Sequence, residues 1–145
     1  VTGMSFSSCA NYIFPAGMTK TISGKGMVAW HGNASHLLYL HESGESWMNP
    51  LFLPEVRRLA KLETEFLTSI GVDPFICWFA KLGPYHVKYM YFLGVEDMAR
   101  FGINNVKAPA GYEKTNASMY NYKGRATLVL VQVDWENLRR PPASK

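Results

Sequence analysis

The sequence predicts an α+β fold: a single domain with a largely antiparallel sheet of about five strands, packed against one long and one or two short helices. Three observations predict it. Strand-like runs stand toward both ends of the chain, with helical segments between them. Residues 54–70 carry apolar side chains at helical spacing. The 145 residues, 48% hydrophobic and 18% charged, have the composition of one globular domain rather than of a disordered chain.

Taken in order, MTKTI (18–22) reads as extended and SGKG as the turn after it. MVAWH (27–31) and HLLYLH (36–41) read as the two strands of a hairpin, with GNAS as its loop. Pro54 and Gly71 bracket the long helix, since proline suits a first turn and glycine a C-terminal stop. On that helix Val56, Leu59, Ala60, Phe66, Leu67 and Ile70 fall on one side; Arg57, Arg58, Lys61, Thr64, Glu65 and Thr68 fall on the other. DPFICWFAKLG (73–83), with Asp73 as cap and Gly83 as stop, reads as a short buried helix, although FICWF alone also suits a buried strand.

YHVKYMYFL (85–93) reads as a strand, with Tyr85, Val87, Tyr89, Tyr91 and Leu93 on one face and His86, Lys88, Met90 and Phe92 on the other. VEDMARFG (95–102) reads as a short helix ended by Gly102. A loop then runs to about Ser118, and MYNYK is a further candidate strand. RATLVLVQVDW (125–135) is apolar on both faces, as a central covered strand is. The domain is read as 1–138, followed by a polar, proline-stopped tail over 139–145.

Charge and motifs exclude more than they assign. The net charge of +4 is mild, and Lys and Arg are spread along the chain. No apolar run approaches the ~18 residues of a membrane span. The first residues lack the basic and apolar pattern of a signal peptide. Cys9 and Cys77 fit either two free thiols in a reducing compartment or one disulfide in an exported protein. The Asn-Ala-Ser triplets at Asn33 and Asn116 sit in expected loops, where a glycan has room. There is no glycine-rich phosphate loop, no GxSxG, no HExxH and no EF-hand loop, so no cofactor is expected.

Three of the four histidines lie between Met27 and His41. In the hairpin reading His31 and His36 face each other, while His41, at an odd separation from His36, points to the opposite face. Three imidazoles so arranged cannot meet one ion at the ~2.1 Å that zinc requires, so no metal site is expected. Cys9, in SSCANYIF, stands where a helix could begin and could pair with a histidine as a nucleophile. No family signature surrounds it, and a free cysteine is more often a small core residue.

The sharper lead is Glu63. Projected on the helix, it lies inside the apolar arc, with its fellow acids Glu55 and Glu65 outside. A carboxylate turned toward a core must be paired or protonated, and such a group serves as a buried hydrogen-bond acceptor, a general acid or base, or a receptor for a cation. The expectation is that Glu63 faces the sheet, with His86 its partner if it is catalytic.

Three functions compete. The first is a binding or interaction protein that uses an aromatic-rich sheet face, the helix, or a helix–sheet pocket, with a protein or small molecule as ligand. The second is a small hydrolase with Glu63 as acid or base and His86 or a tyrosine beside it. The third is single-stranded nucleic-acid binding through Lys88, Tyr89, Tyr91, Tyr122 and Arg125, since exposed aromatics beside cations stack bases. Binding ranks first because no catalytic signature is present; whether the chain is an enzyme stays open at this point.

Overall fold

The computed structural model describes residues 1–6, 8–24, 26–114, 121–122, 125–126 and 128–141. Strand β1 (Met4–Phe6) leads through a π-helical turn (Cys9–Ile13) into the single-turn helix α1 (Phe14–Ala16). Then come β2 (Lys20–Thr21), β3 (Met27–Ala29) and α2 (Ala34–Glu42). The long helix α3 (Leu53–Ser69) is followed by two 3-10 turns, Pro74–Cys77 and Phe79–Lys81. Next are β4 (Met90–Leu93), α4 (Val95–Arg100), β5 (Val106–Lys107) and a third 3-10 turn, Tyr112–Lys114. The strands β6 (Asn121–Tyr122), β7 (Arg125–Ala126) and β8 (Leu128–Val131) follow.

The molecule is α+β, but the largely antiparallel five-stranded sheet is overturned. The described strands pair two by two: β1 with β3, β2 with β5 and β4 with β8 in parallel, and only β6 with β7 antiparallel. An antiparallel bridge between Trp30 and Tyr91 joins the first pair to the third. The physical reason is the connections. Parallel neighbours need a crossover with structure of its own, and the chain between β1 and β3 and between β4 and β8 contains helical turns. Tyr91, Phe92 and Leu93 are all buried, as expected of a parallel strand covered on both faces.

The expected hairpin is also overturned. Its first strand is β3, but residues 36–41 lie in α2. Asn33 decides this: in an extended conformation it caps α2, its side chain accepting from the His36 amide at 3.1 Å. The 73–83 segment forms two 3-10 turns instead of one helix, with Asp73 capping the first by accepting from the Phe75 amide at 3.0 Å. The 85–93 strand is confined to β4; His86 sits at φ 46°, a left-handed conformation no strand residue adopts. Gly102, at φ 94°, closes α4 as expected. The candidate strand MYNYK is described only at Asn121 and Tyr122, and Asn116 lies outside the described residues.

The main core gathers Trp30, Leu67, Ile76, Phe79, Tyr91, Phe92, Phe101 and their neighbours. A smaller cluster of Ala34, Leu38 and Ala60, with Leu53 and Val56 packed against it, joins α2 to α3. No described helix is long and apolar enough to cross a membrane. Cys9 is exposed and Cys77 buried, and both thiols are free. Burial pushes the Cys77 thiol well up, helped by the charges of Glu63 and Asp73. The Asn33 amide nitrogen, where a glycan would attach, is buried, so the folded chain leaves no room for one there.

A candidate ligand-binding cleft

Small side chains at Ala34 and Ala60 let α2 and α3 approach closely. Beside them, the capped turn at Asp73–Cys77 presents Phe75 and Trp78. Together these elements enclose an open cleft of about 670 Å³. Leu38, Tyr39, Ala60, Phe75 and Trp78 supply apolar wall. Trp78 is only partly buried, and three rings hold it: His36 stacked at 5.9 Å, Tyr39 at 5.4 Å and Phe75 edge-on at 5.1 Å.

Charged groups of both signs rim this cleft. Arg140 makes a two-pronged contact with Asp73, its Nη1 donating to Oδ1 at 2.9 Å and its Nη2 to Oδ2, and its guanidinium lies 5.2 Å from the Phe75 ring centre. The expected tail is therefore held to the domain as far as Pro141, which also lines the cleft. Arg57 and Lys61 are paired more loosely, 4.0 Å from Glu42 and 3.8 Å from Glu65.

Glu63 is half-buried but does not face the sheet. The Tyr12 hydroxyl donates to its Oε1, and the Ala34 backbone N–H donates to its Oε2 at 2.9 Å. Ala34 is the first residue of α2, so the carboxylate sits at the positive end of that helix. Burial raises the Tyr12 phenol well above its ordinary value, and the hydrogen bond and charge of Glu63 add to this.

The remaining sequence-predicted residues scatter. His86 and Lys88 line a second hollow together with His31 and His36, and Glu63 is not among the residues that line it. His41 lies further along α2. Tyr89 is half-buried, with the Lys88 ammonium 5.7 Å from its ring centre. Tyr91 has no exposed surface, and its hydroxyl donates to the Ile76 carbonyl, so it offers no face to a ligand. Tyr122 and Arg125 are backbone partners in the β6–β7 pair.

Sequence reasoning missed Tyr39, Trp78 and Arg140 as site residues. The Asp-Pro start marked the turn that precedes Trp78 but not the rings that hold it; Arg140, held by a long-range ion pair, left no local signal. No protein-family model, no curated protein and no solved structure matches this chain.

Proposed function

We propose that this protein is a non-catalytic binding protein, and that it holds an apolar group of a protein or small-molecule ligand in the cleft between α2, α3 and the 74–78 turn. One observation carries the reading: a cleft of about 670 Å³ with a partly exposed tryptophan held in place by three rings. Ligand sites are typically apolar hollows of this size with a few oriented polar groups, and a fixed aromatic anchor binds without losing much freedom. The loosely paired Arg57 and Lys61 favour a ligand that also carries a carboxylate.

The hydrolase reading lacks comparable support. Both oxygens of Glu63 are already engaged within the protein, and His86 lines a different hollow. Nucleic-acid stacking lacks it too, because Tyr91 is enclosed.

The test is amide-resolved NMR titration with a panel of aryl carboxylates and of short peptides bearing an aromatic residue. Saturable shifts should cluster on residues 35–39, 57–65 and 73–78. Trp78→Ala should weaken binding about tenfold or more, the usual cost of losing an aromatic anchor. Thr64→Trp, which fills the cleft from its solvent side, should abolish it. Shifts spread over the whole surface, or binding untouched by both variants, would overturn the proposal.

A further inference from the structure

On the other side of His36 lies a second hollow, of about 560 Å³, and its chemistry is of one sign. Its polar side chains are His31, Asn33, His36, Lys81, His86 and Lys88, and no carboxylate lines it among the described residues. They come from three separate stretches: the α2 approach, the second 3-10 turn and the run into β4. All six can donate N–H bonds.

One of these donors is placed and incompletely used. The Lys81 ammonium donates to the Lys88 carbonyl at 3.2 Å and to the Tyr89 carbonyl, which fixes its position and leaves one N–H over. The Asn33 Oδ1 accepts from the His36 amide, which sets the orientation of that side chain. Its Nδ2 is buried, so Asn33 lines the hollow without presenting that donor to it.

Burial, with neighbouring positive charge added to it at the two histidines, shifts the groups around the hollow. Burial first, then the Lys81 charge and His31, pushes His36 down to about 4, while Glu45 acts weakly the other way. Burial and Lys81 lower His31, and burial pushes Lys81 down to about 8. His86 and Lys88 complete the set facing the hollow.

We propose that this hollow binds a small phosphate-class oxyanion, held by Lys81 and Lys88 with the three imidazoles around it. Donors converging from three stretches of chain suit a tetrahedral anion better than a planar carboxylate, which presents only two oxygens. The volume leaves room for a small organic group beside one phosphate, so a phosphate monoester of a small molecule and free phosphate are the two candidate ligands. The site is separate from the aromatic cleft, and the two readings stand or fall independently.

The probes are inorganic phosphate, phenyl phosphate and acetate at matched ionic strength, followed by the histidine ring proton resonances and by calorimetry. Phosphate and phenyl phosphate should give saturable shifts at His31, His36 and His86, and acetate should not. Tighter binding of phenyl phosphate supports the ester as ligand; equal binding supports free phosphate. Lys88→Ser and His31→Gln alter exposed side chains and should not disturb folding. Lys88→Ser should weaken binding about tenfold, the worth of one charge-assisted contact. Thr64→Trp, in the other cleft, removes none of these donors and should leave saturable phosphate binding in place. Affinity should fall as pH rises through about 8, where Lys81 gives up its proton. No saturable shift at millimolar phosphate, equal shifts with acetate, or indifference to both Lys88→Ser and His31→Gln would overturn the assignment.

Discussion

Leu67 and Leu62 stand on the same helix little more than a turn apart and meet opposite fates: Leu67 has no exposed surface, whereas Leu62 is 46% exposed. The boundary between them is Glu63. On one side of it, Ala60 and Leu67 are buried and Val56 partly so. On the other, Leu59, Leu62, Phe66 and Ile70 form an exposed apolar band. Periodicity therefore identified the helix and the centre of its apolar arc but not which half of that arc is covered. The carboxylate marks the line because it is anchored to Tyr12 and to the start of α2, at the edge of the covered half.

The comparison can be broken first by truncation inside the covered half. Leu67→Ala should cost about 3 kcal/mol in urea unfolding, as deletion of a fully buried leucine does. A loss below ~1 kcal/mol would mean that the two sides of α3 do not differ as described.

At the boundary, Glu63→Ala strands the Ala34 N–H and the Tyr12 hydroxyl, and should cost about 1–2 kcal/mol. A double-mutant cycle with Tyr12→Phe should show coupling between the two; strict additivity would break the pair.

A smaller effect should follow pH. His36 is held neutral in the folded state, down to about 4, while the unfolded chain takes up its proton nearer 6.5. The unfolded state then binds more protons in that window, so stability is intact above about pH 6.5 and declines as pH falls toward about 4. His36→Gln should flatten that part of the profile, and an unchanged slope would remove His36 as its source.

The least effect belongs to the exposed band. Leu62→Ser should shift stability by no more than ~0.5 kcal/mol while improving solubility. A loss as large as that of Leu67→Ala would show that the band is covered in solution.

How legible all this was follows from where the determining contacts lie. Helix α3 could be read because Pro54, Gly71 and the apolar spacing are local signals. Glu63 could be singled out because one charge in an apolar arc stands out in a projection, but its partners, Tyr12 and Ala34, are distant in sequence. The α2 misreading had a local remedy: Asn33 precedes an apolar stretch as a cap does, and HLLYLH suits a helix as well as a strand. The parallel pairing was also within reach, since a helix at 95–100 lies between β4 and β8. The second hollow was not, because His86 reaches His31 and His36 only through tertiary packing.

One feature links the two cavities. The His36 ring lines one of them, the Trp78 ring lines the other, and the two rings are stacked. A guest that turned the indole would press on the imidazole stacked against it, so the two hollows share a party wall. Whatever filling one room does to affinity in the other is returned in equal measure, because linkage between binding events runs both ways.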